Sequence, residues 1–162
     1  MADKRDKENL EKLKIEYEKV RAKYGLPDFD EIDSEFEIRK ADAEMFIIKE
    51  IRRAVIHKLT GIADFLEPVL NPSGHDMHSC VESKIFDKDE VDEMYKYYKQ
   101  LWCHVHKAIH ASLVSEKEEA EVIKEILKAW PEFRKKAQHY TKKIAEGWAK
   151  EEIESSAEHY MS

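Results

Sequence analysis

Histidines are the residues of this chain whose type and spacing most invite chemistry. The sequence holds eight, and two of them, His106 and His110, lie four residues apart in a segment with helical periodicity. This spacing places two imidazoles on one helix face, where both can bind the same metal ion. Further donors stand nearby or in the preceding segment: Cys103, His75, His78 and Cys80. The candidate ligands for zinc or another transition metal are therefore His106, His110, Cys103 and His78.

The same histidines also fit a simpler interpretation, as residues at the edge of a helix bundle that bind no metal. The sequence has no paired CxxC and no HExxH motif, and no histidine follows a glutamate by three residues, as a ferritin-like di-iron centre requires. An EF-hand loop starting at Asp28 fails because Asp33 stands where glycine is needed and Arg39 where the bidentate glutamate is needed. We expect no catalytic residue and no cofactor, with a metal-assisted site as an alternative.

Basic residues on the last predicted helix are the second candidate site. Between residues 128 and 143, six basic residues face a single acid, Glu132. Such a face can neutralise phosphates, and its candidate nucleic-acid-binding residues are Arg134, Lys135, Lys142 and Lys143. The helix macrodipole offers a simpler explanation, because the same helix begins with glutamates and becomes basic later. The whole chain carries 28 basic and 35 acidic residues, a net −7, which argues against a general polyanion binder.

Four amphipathic segments must position these side chains. Apolar residues recur at steps of three and four over about 4–24, 42–70, 88–113 and 116–150, the pattern of helices with one buried face. Four glycines and four prolines in 162 residues are too few for a turn-rich β protein. The predicted fold is all-α, a bundle of four main helices. The buried faces assigned here include Phe46 on the second helix and Ile109 and Leu113 on the third.

The segments between the helices differ in kind. Gly25 and Pro27 end the first helix, and residues 25–41 form a connector that is too apolar to be a free linker. Its apolar residues should pack on the bundle: Leu26, Phe29, Ile32, Phe36 and Ile38. A capping-box spacing at Asp28 and Glu31 predicts a short helical turn within it. Similar boxes at Asp87 and Glu90 and at Ser115 and Glu118 open the third and fourth helices.

Two features of the predicted bundle stay open. Residues 71–86 form an irregular loop with room for one or two helical turns. Pro131 interrupts the apolar stripe of the fourth helix without changing its phase, so it either kinks or splits that helix. We expect a single domain over residues 1–150 and a frayed tail over 151–162.

The location that the sequence predicts is the cytoplasm. The longest purely apolar run is the four residues 45–48, far short of the roughly 18 that a membrane span needs. The first residues are charged and contain no apolar segment of a signal peptide. Two cysteines, Cys80 and Cys103, are too few for a disulfide framework and suit a reducing compartment.

Three blocks of sequence carry a resemblance to other proteins. In order along the chain they are KYGLPDFDEIDSEFEI, EIRR and EKEEAEVIKEILKAWPEF. Together they resemble small all-helical cytosolic proteins of archaea for which no activity is known. The resemblance implies an all-helical cytosolic protein with an informational or cell-biological role rather than a metabolic one. It carries over no functional residue.

The first helix suggests the function class. Its apolar stripe is narrow and its other faces are almost wholly charged; the stripe consists of Leu10, Leu13, Tyr17, Val20 and Tyr24. Such a stripe either seals the edge of a bundle or pairs with a second helix as in a coiled coil. We therefore expect a non-catalytic interaction protein whose partner is another protein or a second copy of itself. A ribosome- or RNA-associated factor is the alternative, and we expect no membrane partner.

Overall fold

The structure is a computed structural model that describes residues 2–41, 46–72 and 77–150, with side chains from residue 8 onwards. Within these ranges the chain forms six α-helices and one short 3-10 helix, with no strand. The helices are α1 (Ala2–Tyr24), α2 (Phe29–Phe36), α3 (Ile47–Leu70), α4 (Met77–Glu82), α5 (Lys88–Ser112) and α6 (Glu116–Trp148), and the 3-10 helix is Ile38–Lys40. The predicted all-α helical bundle is therefore confirmed.

The long helices lie where the periodicity predicts them, with differences at their ends. α3 begins at Ile47, and Phe46 directly before it is not helical. The predicted start near residue 42 lies outside the described residues. α6 is continuous through Pro131, so the proline does not split the helix. Both predicted connectors contain helix: α2 and the 3-10 helix lie in the first, and α4 in the second. The predicted tail over residues 151–162 lies outside the described residues.

The start of α5 shows how local sequence sets a helix boundary. The N–H of Asp87 donates to Glu90 Oε2 at 3.0 Å, and the N–H of Glu90 donates to Asp87 Oδ1 at 2.9 Å. These two bonds are the reciprocal capping box that the spacing predicts. At α6 the N–H of Glu118 donates to Ser115 Oγ at 3.2 Å, which is one half of the same motif.

The predicted box at Asp28 and Glu31 does not form. The Asp28 side chain makes no cap hydrogen bond and instead pairs with Arg21 at 2.6 Å. A charged partner within reach outcompetes a backbone N–H for a carboxylate, since charge-assisted contacts are the stronger ones. α2 still begins directly after Asp28, so the predicted boundary is right and the predicted bond is wrong.

The chain divides into two compact units. Unit 1 comprises Met1–Leu59 and His104–Lys128, and unit 2 comprises Thr60–Cys103 and Ala129–Ser162. The helices α3, α5 and α6 each contribute residues to both units. The single domain expected over residues 1–150 stays a prediction.

Unit 1 has a core to which the connector contributes as expected. All five of its apolar residues are buried: Leu26, Phe29, Ile32, Phe36 and Ile38. Tyr17 of α1 meets the Phe29 ring edge-on, with ring centroids 5.4 Å apart. Its hydroxyl donates to the Pro27 carbonyl at 2.7 Å, and burial raises the pKa of Tyr17. The connector is therefore an integral layer of unit 1 rather than a linker.

The core of unit 2 contains the side chain of Tyr97. The Tyr97 ring is fully buried between Phe133 and Tyr140, with centroid distances of 5.8 Å and 6.0 Å. Its hydroxyl donates to the Phe133 carbonyl at 2.7 Å. This bond satisfies the one polar atom that the ring brings into the core, as buried tyrosines require.

The end of α6 packs tightly on the turn that follows α4, and glycine makes this possible. A Cβ at Gly147 would lie 2.5 Å from Ile85 Cδ1 and 2.7 Å from its Cγ1. At Gly61, in the middle of α3, a Cβ would have no heavy atom within 4 Å. The two glycines therefore differ in what a methyl group would meet.

We expect Gly147→Ala to destabilise the protein by about 1–2 kcal/mol, because the added methyl group overpacks the contact with Ile85. The control, Gly61→Ala, should stabilise it by about 0.5–1 kcal/mol through higher helix propensity. Urea unfolding measures both. In an Ile85→Ala background the penalty of Gly147→Ala should disappear, and a penalty that persists there would contradict the packing argument.

Candidate functional site

A cleft of about 460 Å³ opens on unit 1. The start of α3, the end of α5 and the first turn of α6 form it, and its described lining residues are Phe46, Ile48, Lys49, Arg52, Ser112, Glu116 and Glu119. Only residues 113–115 join α5 to α6, so the end of one helix and the start of the next are neighbours. Clefts of about 300–1,000 Å³ are large enough for a ligand or for several side chains of a partner. We call this feature the unit 1 cleft.

Most charges of the unit 1 cleft are paired within the chain. Arg52 Nε lies 2.7 Å from Glu119 Oε2, and the two side chains are only 13% and 12% exposed. Glu116 Oε1 accepts hydrogen bonds from the Tyr24 hydroxyl at 2.5 Å and from Lys23 Nζ at 3.1 Å. These two donors hold the pKa of the Glu116 carboxyl below its ordinary value. The acidic wall of the cleft is therefore braced by α1 on one side and α3 on the other.

Five of the seven described lining residues of the cleft are polar or charged. Its described residues carry two cations, Lys49 and Arg52, and two anions, Glu116 and Glu119, so their charges cancel. Ser112 Oγ donates its proton to the Ile109 carbonyl at 2.6 Å, and the described lining contains no histidine or cysteine. Nucleophilic catalysis needs a nucleophile hydrogen-bonded to a base. The described part of the cleft does not provide this pair.

Four exposed apolar residues belong to the cleft lining or lie within three residues of it in the sequence, and we call them the apolar rim: Phe46, Ile109, Leu113 and Val114. Their exposed fractions are 74%, 43%, 81% and 56%. Phe46 lines the cleft itself, and Leu113 and Val114 directly follow the lining residue Ser112. Ile109 lies one helical turn before Leu113. Single exposed apolar residues are common, but a cluster of large ones marks an interaction surface.

The apolar rim corrects three sequence assignments. Phe46, Ile109 and Leu113 follow the three-and-four spacing of buried faces, yet all three are exposed. Phe46 precedes the first residue of α3, and Leu113 follows the last residue of α5. For Phe46 and Leu113 the pattern misleads because periodicity holds only within a helix. Ile109 lies inside α5, where the neighbouring Ala108 and Ala111 are buried in its place. The capping box at Ser115 is the signal that could have placed Leu113 and Val114 in a turn.

The narrow stripe of α1 is used inside unit 1. Leu13 and Tyr17 are buried, and the remaining stripe residues are half-buried: Leu10, Val20 and Tyr24. The buried part of the stripe therefore seals an edge of unit 1, and pairing of the stripe with a second helix stays a prediction. Among the described residues of unit 1, the exposed large apolar side chains are Ile15 on α1 and the four of the apolar rim.

The residues predicted as metal ligands lie on two helices. Cys103, His106 and His110 are exposed on α5, and the His78 ring on α4 lies 5.3 Å from the Trp148 ring. His75 lies outside the described residues. Among the residues that the structure describes, no three or more histidines, cysteines or acids come together to hold a metal ion. The metal site stays a prediction.

Three of the four predicted phosphate-binding residues are exposed on α6: Arg134, Lys135 and Lys142. Lys142 Nζ lies 3.7 Å from Glu146. Lys143 differs from the expectation, since it is half-buried, lies over the Phe86 ring at 5.2 Å and forms an ion pair with Glu90. A lysine can cover an apolar ring with its aliphatic stem while its ammonium group reaches an acid. The outward basic face is therefore narrower than predicted.

We expect the pair of Glu90 and Lys143 to make the stability of unit 2 depend on pH. The hydrogen bond from Lys143, and then that from the Asp87 backbone, hold the pKa of Glu90 below its ordinary value of 4.5. Glu90 therefore stabilises the fold above pH 4.5, and this contribution is lost as the pH falls through the lowered pKa. Glu90→Gln should flatten the decline of the urea midpoint below pH 4.5, because it keeps the capping oxygen but cannot titrate. An unchanged decline would contradict this assignment.

No protein family, curated protein or solved structure matches the chain. No described helix has both the length and the apolar character that crossing a membrane demands.

Proposed function

We propose that the chain is a non-catalytic protein that associates with another protein surface through the unit 1 cleft and the apolar rim. The observation that carries this proposal is Leu113, which is 81% exposed next to the cleft. Burying a leucine side chain contributes about 1.5–3 kcal/mol. Exposed apolar residues contribute this energy only when a partner covers them, as it covers the anchor residues of an interface.

The lining residues support a protein partner over the other ligand classes. Arg52 is paired with Glu119, and Glu116 is bonded to Lys23 and Tyr24. A polyanion would need an excess of positive charge, which the described lining lacks. Interfaces between proteins combine an apolar centre with a polar margin of mixed charge. The proposal places the protein in the cytoplasm, where its two cysteines stay reduced.

Exposed basic residues on α6 support the alternative, an RNA- or ribosome-associated factor. Arg134, Lys135 and Lys142 are exposed on one helix of unit 2. Under the leading proposal the purified protein should not co-sediment with ribosomes at low salt. Salt-dependent binding that a Lys135→Glu/Lys142→Glu variant abolishes would replace the leading proposal with this one.

Affinity capture from the source cells tests the leading proposal. The baits are wild type, Leu113→Asp and Ile15→Asp. Ile15→Asp is the control, because Ile15 on α1 is also exposed, at 60%, but is not among the lining residues of the cleft. We expect wild type and Ile15→Asp to retain at least one protein, a second copy of the chain included, that Leu113→Asp loses. Equal retention by all three baits would show that association does not use the apolar rim.

A further inference from the structure

His104 of unit 1 differs in its surroundings from the other described histidines. Its side chain is 14% exposed, whereas every other histidine that the structure describes is exposed. His104 lies on α5, and its Nδ1 is 3.7 Å from Oε1 of Glu125 on α6. A mostly buried imidazole is poorly hydrated, so its charged form is disfavoured unless an anion reaches it. Glu125 is the acid placed to reach it.

The carboxylate of Glu125 is already held by another residue of α5. Lys107 Nζ lies 2.6 Å from Glu125 Oε1, the same oxygen atom that approaches His104. The 3.7 Å to His104 exceeds the usual length of a hydrogen bond, so this oxygen binds the lysine and not the histidine. The side chains of Lys107 and Glu125 are each 47% exposed, and water competes for an ion pair this exposed. Glu125 can therefore change its partner at low cost.

The charge of the His104 ring depends on mild changes of pH. Burial lowers the pKa of His104 below its ordinary value of 6.5. The charged groups that act on the ring from the described helices are Glu125, which favours the protonated form, and Lys107, which opposes it. The ring is thus neutral at pH 7 and takes up a proton from solvent at lower pH. Protonation makes both ring nitrogens donors, so Nδ1 then presents a charged N–H to Glu125.

We infer that His104 is a proton-sensitive switch in unit 1, in which proton uptake by the ring moves the Glu125 carboxylate from Lys107 to His104. The inference does not depend on the proposed function. Above pH 6.5 Glu125 binds Lys107, and in acid solution it binds His104 while Lys107 returns to water. Because burial lowers the pKa of His104 in the folded state, the unfolded chain binds the proton more readily. The stability of unit 1 is therefore highest above pH 6.5 and falls as the pH drops towards the lowered pKa.

Histidine titrations of the purified full chain by NMR test the switch with two opposite substitutions. Glu125→Gln removes the anion, so the pKa of His104 should fall further. Lys107→Met leaves Glu125 to His104 alone, so the pKa of His104 should rise. Glu121→Gln is the matched control, since Glu121 is exposed one turn earlier on α6 and pairs with Lys124 at 2.7 Å. This control should leave the titration of His104 unchanged.

Urea unfolding at a series of pH values provides the second readout. The urea midpoint of the wild type should fall as the pH drops below 6.5, and His104→Gln should remove this part of the decline. His106→Gln, at an exposed position of the same helix, should keep it. Circular dichroism checks that each variant retains its helical content.

Two results would overturn the switch. The first is a pKa of His104 that is the same in wild type, Glu125→Gln and Lys107→Met, since Glu125 would then not change its partner. The second is a decline of the urea midpoint below pH 6.5 that His104→Gln leaves intact, since another group would then be responsible. Opposite shifts of the pKa in the two variants, together with loss of the decline in His104→Gln, are the results that the inference predicts.

Discussion

Replacing Asp33 with alanine is expected to lower the free energy of unfolding by about 3 kcal/mol. Asp33 of α2 is buried, with 2% of its surface exposed. Its Oδ1 accepts the backbone N–H of Arg39 at 2.7 Å, and its Oδ2 accepts Arg39 Nε at 2.6 Å. Its carbonyl accepts the N–H of Glu37, whose left-handed φ of 54° turns the chain into the 3-10 helix. Hydrogen bonds to charged groups contribute about 1.5–3 kcal/mol each.

A neighbouring acid on the same helix provides the control. The side chain of Asp30 is 81% exposed and lies 3.0 Å from Lys14 Nζ. Exposed ion pairs of this kind contribute about 0–1 kcal/mol, so Asp30→Ala should have a small effect. Urea unfolding of the two variants under identical conditions measures the difference. Equal effects would mean that the turn between α2 and the 3-10 helix does not depend on Asp33.

Replacing Arg52 with alanine is expected to cost about 2–3 kcal/mol and is the second large effect. Arg52 and Glu119 form a mostly buried pair in the wall of the unit 1 cleft. Removing one partner of such a pair leaves the other charge poorly solvated, and this penalty is the main part of the loss. The same reasoning predicts that Arg52→Met combined with Glu119→Leu restores most of the stability, because no unpaired charge remains.

The next residue along α3 offers a matched control for Arg52. Arg53 is 52% exposed and pairs with Glu50 at 2.5 Å one turn earlier. Arg53→Ala should therefore change stability by less than about 0.5 kcal/mol. Chemical unfolding of Arg52→Ala, Arg53→Ala and the Arg52→Met/Glu119→Leu variant decides the matter. A double variant as unstable as Arg52→Ala alone would contradict the assigned role of the buried charge.

Local signals in the sequence predict the helices well because they act within one turn of the chain. The reciprocal bonds of Asp87 and Glu90 need only residues three apart. The predicted box at Asp28 fails because its competitor, Arg21, belongs to the preceding helix. Contacts of this kind depend on how the helices pack, which no short window of sequence contains. The same limit explains why Lys143 lies over Phe86 rather than on the outward face of α6.

Hydrophobic periodicity could not predict the candidate site, because the site also depends on how the helices pack. The unit 1 cleft forms where the ends of three helices meet, and its Arg52–Glu119 pair joins residues 67 positions apart. Phe46 lies one residue before α3, and Leu113 lies one residue after α5. Both continue the apolar spacing of the adjacent helix, so periodicity assigns them to its buried face. The sequence-based expectation of an interaction protein stays a prediction. The proposed surface is the apolar rim, because Leu113 of the rim is 81% exposed whereas Leu13 and Tyr17 of the α1 stripe are buried.

The central claim, that association uses the apolar rim, is tested most directly by photo-crosslinking in the source cells. A benzophenone-bearing amino acid replaces Leu113 in one full-length protein and Ile15 in a control, and illumination links each to whatever protein lies against it. We expect a discrete adduct from position 113 and none of that mass from position 15. No adduct from position 113, or the same adduct from both positions, would contradict the claim.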